Sequence, residues 1–287
     1  MTKRFSTKHA TALTRRTWLA AIGTLALPAL PARAASAQVF DHNHAAWTAL
    51  LRKHVVLIEG GKASQLRYAG MAQDRAVLKA YLDTLASVSA TAFDAFSKPQ
   101  QMAFLINAYN AHTVELILTR YPKLVSIKDL GNLIQSPWKK QIAPLLGRTL
   151  SLDGIEHDQL RLRGRYDDPR IHFAVNCASI GCPPLREEAF VAERLDAQLD
   201  EQALRFMSDR SRNRWNAATA KLEVSQIFDW YGADFSLGHR GIGSPAGFYA
   251  RHADQLADAA VDRERIRKQS ASVAYLDYDW KLNDATR

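Results

Sequence analysis

Cysteine is almost missing from this chain: 287 residues contain two, Cys177 and Cys182, five positions apart. Any thiol, redox or soft-metal chemistry therefore falls in one stretch. Long apolar runs are missing too. The best candidate, Leu19 to Leu30, is interrupted by Pro28, is followed by Pro31, and falls short of the roughly 20 residues a membrane span requires. No cluster of Lys and Arg in the body of the chain calls for nucleic acid. The glycine-rich stretch Gly238 to Gly247 is a loop without a phosphate-binding pattern. Its Gly241-Ile242-Gly243-Ser244 neither follows a strand nor carries a suitably placed lysine. No cofactor motif, internal repeat, low-complexity tract or linker is visible, so no cofactor is expected.

Acidic residues are absent from residues 1–37, which carry Lys3, Arg4, Lys8, Arg15, Arg16 and Arg33. Much of the formal charge of +9 belongs to this segment. Taking its six basic residues from the total of 38 leaves 32 against 29 acidic ones from Gln38 onward, or +3. A basic stretch ending in Arg15-Arg16, a modest apolar run, and Ala32-Arg33-Ala34 or Ala35-Ser36-Ala37 as small-x-small cleavage sites together resemble a twin-arginine export signal. The expectation is a leader over 1–37, cleavage after Ala37, and one domain over 38–287 with no membrane span after cleavage. The compartment would be the periplasm and the first partner the twin-arginine export machinery.

The mature part has ample apolar content for a core. His42, His44 and Trp47 open a helical stretch through Ile58 that Gly60-Gly61 ends, the two histidines being read as solvated. Residues 73–89 show helical spacing. Ser97 and Gln100 form a capping box with Pro99 in the first turn. The helix that follows, through Arg120, is apolar almost all round and should be a buried central helix. Asn107 and Asn110 share one side of it, which implies either a bracing network or a cavity wall. Asn132 to Pro144 reads as an irregular surface segment. Residues 149–152 read as a short strand and 154–163 as a helix capped by Asp153. Residues 187–210 should be an amphipathic helix, 220–227 a strand and 248–268 helical. One α+β domain follows, with helices packed on a small, mostly antiparallel sheet.

The centre of the chain is Asp168 to Pro184. Ile171, Phe173, Val175 and Cys177 alternate with His172, Ala174 and Asn176, the period of a strand. Gly181 and Pro183-Pro184 then force a loop. A thiol at such a transition is held rigidly yet can face a cleft.

Several blocks together resemble one family: Phe104-Leu105-Ile106-Asn107-Ala108-Tyr109-Asn110, Leu152-Asp153-Gly154-Ile155-Glu156-His157 with Arg161, Asp168 to Pro184, Ile227-Phe228-Asp229-Trp230-Tyr231, and Tyr278-Asp279-Trp280-Lys281-Leu282-Asn283. The chain is identified as similar to the bacterial branch of the domain of unknown function 547 family, over residues 95–283. The resemblance implies that the Asn107/Asn110, Glu156/His157, Cys177/Cys182 and Asp279 motifs are family features. It implies no activity. A distant likeness to papain-type cysteine hydrolases is carried by analogy with a Cys/His/acid set.

A nucleophilic cysteine needs a base and a group that orients the base. In a regular strand His172 faces away from Cys177. His157, on the preceding short helix, is therefore the expected base and Cys177 the expected nucleophile. Glu156 could orient the imidazole, with Asp229 or Asp279 as rival acids. Asn107, Asn110, Asn176, or the backbone N–H groups after Cys177, could hold an oxyanion or substrate. Arg161 shares a helical face with His157. The ligand is an unidentified small molecule or peptide. Three other readings stand beside this one. The first is a Cys177–Cys182 disulfide, natural in an oxidising compartment, with His157 and Arg161 as polar packing. The second is a zinc site from His157, His172 and the two cysteines, whose spacing matches no standard pattern, so no metal is expected. The third is a module that binds a ligand without turnover.

Overall fold

The computed structural model describes residues 40–132 and 134–285. The leader expected over 1–37 lies outside the described residues. The molecule is α+β, built around the helix Lys98–Leu118. Ser97 Oγ accepts from the Gln100 N–H, and Gln100 Oε1 accepts from the Ser97 N–H. Nearly every residue of this helix is buried, as its lack of a polar face requires. Around it gather Ala45–His54, Arg75–Ala86 and Leu152–Ile155, among others.

Three small sheets replace the one expected. Strands β1 (Val55–Ile58) and β2 (Ala63–Leu66) form an antiparallel hairpin, as do β3 (Ala143–Leu145) and β4 (Arg148–Leu150). In the third sheet β6 (Lys221–Ser225) pairs antiparallel with β5 (Arg214–Asn216) and parallel with β7 (Ser272–Leu276). The first helix stops at His54 rather than Ile58, because Val55-Val56-Leu57-Ile58 is a β-prone run followed by a glycine turn. His42 and His44 are not solvated. His44 is buried with Nδ1 2.8 Å from Tyr81 Oη, and both rings pack against Phe40. The helical stretch expected over 248–268 is three short helices, Pro245–Arg251, Ala253–Leu256 and Ala260–Arg267. The one expected over 187–210 is regular only over Leu195–Met207.

The largest correction concerns residues 171–177. They are not a strand. Pro169–Phe173 is a turn of 3-10 helix, entered through Asp168, whose Oδ1 accepts from the Arg170 N–H. Asp at the cap and Pro at the first position are start signals for a helix, and here they override the alternation of apolar residues. The segment also joins two apolar clusters. Ile171, Ala174 and Val175 pack in the cluster around the central helix, while Phe173 packs with Phe206, Phe228, Phe235 and Phe248 in a second one. At that seam, with both faces buried, the site is formed.

A cavity walled by aromatics, two thiols and a histidine

The asparagines act first, by holding the loop in place. Asn110 Nδ2 donates to the Ala174 carbonyl at 2.9 Å, and its Oδ1 accepts from the Asn176 N–H at 2.8 Å. Asn107 clamps Phe190 in the same way, Nδ2 to the carbonyl at 2.8 Å and Oδ1 from the N–H at 3.0 Å. Asn176 Nδ2 donates to the Pro183 carbonyl and its Oδ1 accepts from the Ala178 N–H. All three amides are engaged with buried backbone, which would otherwise be left unsatisfied at about 1–3 kcal/mol per group. None of the three lines the cavity described below. They brace the loop.

After Cys177 the chain turns sharply, with Ala178 at φ +64°, a left-handed conformation that costs a non-glycine residue roughly 1–2 kcal/mol. The turn aims successive N–H groups inward, the arrangement that suits an anion. Here the acceptor is a sulfur: Cys182 Sγ receives the Cys177 N–H at 3.0 Å and the Ser179 N–H at 3.4 Å. The Tyr278 hydroxyl donates to Cys182 Sγ at 3.2 Å and also lies 3.2 Å from Cys177 Sγ. Tyr278 arrives from the far end of the chain. The backbone of residues 279–283 pairs with the thiol loop, the Lys281 and Asp279 carbonyls accepting from Ile180 and Gly181 and the Ala178 carbonyl from Asn283.

Both thiols are free, and their environments differ. Burial opposes ionisation of Cys182. The hydrogen bonds from the Cys177 side chain, Tyr278 and the two backbone N–H groups outweigh it and bring that thiol below its ordinary value. Cys177 moves the other way, pushed well up by its hydrogen bond to Cys182, then by burial and by the neighbouring charge. Burial and the two sulfurs push the Tyr278 phenol up. Of the two thiols, Cys182 is therefore the one whose ionisation its surroundings favour.

Both cysteines line a cavity of about 260 Å³. Its walls include Trp138, Trp230 and Trp280, whose rings meet at 5.6 Å between centroids for each pair with Trp280. Trp138, expected on an irregular surface segment, is thus a wall of the site.

The histidine facing this cavity is His172, not His157. In the 3-10 turn the strand argument against it no longer holds. His172 Nε2 lies 2.8 Å from Asp234 Oδ2, its ring stacks on Tyr231 at 4.0 Å, and its Nδ1 has no partner. The same Asp234 accepts from Arg161 Nε at 2.6 Å and Nη2 at 3.2 Å. Burial works against the Asp234 charge, but the bonds from His172 and Arg161 hold the carboxyl well below the usual range. Arg161 also lies over the outer face of Tyr231.

His157 is exposed and its Nδ1 lies 2.7 Å from Arg161 Nη1. A guanidinium only donates, so this nitrogen is the acceptor. Glu156 and His157 part company because Leu152–Ile155 widens into a π turn over Glu156–Leu160, with Glu156 inside and His157 outside. The helix cap is Ser151, whose Oγ accepts from the Gly154 N–H, rather than Asp153. Glu156 does not orient His157. It lies beside His172, Oε1 to Nδ1 at 4.0 Å. Neither expected rival acid reaches an imidazole: exposed Asp229 accepts from Gln226, and Asp279 accepts from the Lys281 N–H. The acid that holds the cavity's histidine is Asp234, three residues past the Ile227 to Tyr231 block, which sequence reasoning passed over. No group of three or more His, Cys, Asp or Glu among the described residues could hold a metal ion, so the zinc set is not assembled. The papain-like expectation finds no support, since the thiols contact each other and Tyr278 rather than an imidazole.

The fold and site define an α+β protein with two thiols and a histidine, held from behind by Asp234, on one aromatic-walled cavity. Residues 93–207 match the family model described as "Protein of unknown function, DUF547", and over this stretch the chain is similar to that family. The blocks at 227–231 and 278–283, which supply Tyr231, Trp230, Tyr278 and Trp280, lie beyond the matched residues. No curated protein and no solved structure matches the chain.

Proposed function

We propose that this chain is an exported, periplasmic hydrolase or acyl transferase that works through the Cys177–Cys182 pair, with His172 as proton carrier. The observation that carries this reading is the Cys182 sulfur. It collects two backbone N–H groups, a phenol O–H and the neighbouring thiol on the wall of a cavity that also presents an unpartnered imidazole nitrogen. The thiolate, not the thiol, is the nucleophile.

The Cys182 thiolate attacks the carbonyl carbon of a small ester, thioester or amide. An S–C bond forms and the π pair moves to oxygen. As sulfur loses its charge, the donors that held it are released to the new oxyanion. Collapse expels the leaving group, which departs with the proton of the Cys177 thiol. Asp234 holds the imidazole in place and stabilises its charged form, as an acid partner does in other nucleophile–histidine sites. Water or an acceptor nucleophile then attacks the thioester as His172 Nδ1 takes its proton, the Cys182 thiolate leaves, and the imidazolium passes the proton back to Cys177. Export rests on the Arg15-Arg16 leader, which makes the twin-arginine machinery the first partner.

The test is an acyl-enzyme burst. Reduced protein mixed with p-nitrophenyl acetate at pH 7 should release about one equivalent of nitrophenol per chain in a fast phase. The phase should vanish in Cys182→Ser. A reduced wild-type protein with no burst, or a burst that survives in both Cys182→Ser and Cys177→Ser, overturns the reading.

The closeness of the sulfurs also favours a second reading, in which a disulfide closes in the exported compartment at the expense of a small-molecule disulfide, and the cavity binds without turnover. A count of free thiols in exported protein separates the two.

A further inference from the structure

The cavity is electron-rich throughout. Its lining contains Glu156, Asp153 and the two cysteines but no lysine or arginine, and Trp138, Trp230, Trp280, Tyr109, Tyr231 and Tyr278 supply its aromatic walls. Two of its polar atoms are acceptors without a partner: Glu156 Oε1 and His172 Nδ1, 4.0 Å apart and both fully buried. With the imidazole in its neutral form and Nε2–H directed at Asp234, Nδ1 carries a lone pair. A carboxylate oxygen and that lone pair then face the same small space. Two acceptors cannot satisfy each other, and a buried unpaired carboxylate oxygen is costly. A group that donates several hydrogen bonds and carries positive charge meets both needs. Tyr231 fixes the geometry, stacked on His172 at 4.0 Å and lining the same cavity as Glu156. The aromatic wall already attracts a cation on one side: Lys128 Nζ lies 3.8 Å from the centroid of the Trp280 ring.

We infer that this cavity selects an acyl compound bearing a protonated amine, whose ammonium group sits between Glu156 Oε1 and His172 Nδ1 against the aromatic walls. The inference rests on the acyl-transfer reading for the word acyl only, because the ammonium site needs neither thiol. It separates the roles of the two acidic groups that flank the imidazole. Asp234 positions the ring from the Nε2 side, while Glu156 reads the charge of the substrate.

The probes are three compounds of one shape: benzylammonium, benzyl alcohol and phenylacetate, titrated calorimetrically into the whole protein at pH 7. Benzylammonium should bind at least about tenfold tighter than benzyl alcohol, with phenylacetate weakest. Glu156→Gln should erase the preference for the amine over the alcohol, and a Cys177→Ser, Cys182→Ser double variant should keep it. Equal or weaker binding of benzylammonium, no binding of any probe, or a preference that survives in folded Glu156→Gln overturns the inference. If Glu156→Gln does not fold, the wild-type ranking alone decides. A protein that ranks the probes as expected yet gives no ester burst loses the acyl-transfer reading and keeps the ammonium site. One that gives the burst without the ranking keeps the chemistry and loses the site.

Discussion

Tyr278 Oη lies 3.2 Å from Cys177 Sγ across 101 residues of sequence, and the contact exists because residue 181 has no side chain. A Cβ on Gly181 would stand 2.9 Å from three atoms of the Tyr278 ring, closer than packed carbon atoms approach. Gly181→Ala should push the phenol off both sulfurs while leaving most of the fold alone. The Cys182 thiol should then move up toward its ordinary value, and iodoacetamide should react several-fold more slowly at pH 7. An unchanged alkylation rate would show that the phenol does not hold the thiolate.

The two thiols should not titrate alike. Thiolate absorbance near 240 nm, followed against pH in reduced protein, should rise in two separated steps. One thiolate forms below the usual thiol range of about 8.5 and the second only well above it. Replacing either cysteine by serine should collapse the curve to one step. A single two-proton transition in the wild type sinks the shared-proton account.

Asp234 ties Arg161 to His172. Its carboxyl ionises more readily in the folded protein than in the unfolded chain. The stabilisation it supplies is therefore present above the unfolded carboxylate value of about 4 and is lost as pH falls further, toward the depressed folded value. Asp234→Asn should cost about 2 kcal/mol in urea unfolding at pH 7, and its deficit against wild type should shrink on acidification below pH ~4. Equal midpoints for the two proteins at pH 7 would remove Asp234 from the bracing of the site.

Asn107→Ala and Asn110→Ala should each lower stability by about 2 kcal/mol, since each strands buried backbone groups at Phe190 or at Ala174 and Asn176. Thermal unfolding with the ester burst measured on the same samples distinguishes bracing from chemistry. Either variant unfolding like wild type while losing its burst would return the amide to the reaction.

For the leader, Arg15→Lys with Arg16→Lys should leave uncleaved precursor inside the cell, read by immunoblot of fractionated cells. Normal export of the double variant contradicts the twin-arginine route.

What was legible in the sequence was local. The Ser97/Gln100 capping box and the apolar residues spread almost all round the helix that follows define the central helix, because caps and burial are encoded within a few turns of chain. The stretch holding both cysteines identifies the thiol loop, since no other sulfur pair exists to compete. A start signal at Asp168-Pro169 was also present, but the alternation that follows it imitates a strand, and local pattern alone could not choose between them.

The amino-acid sequence by itself determined the buried helix and the stretch that holds both thiols, which depend on neighbours along the chain. Only the tertiary structure decided which histidine meets the cavity, that Asp234 from 62 residues away holds it, and that Cys182 rather than Cys177 is the thiol whose ionisation its donors favour. Those outcomes depend on which donors and charges a long chain folds back to a single point, and electrostatics at a few ångströms responds to that geometry, not to sequence spacing.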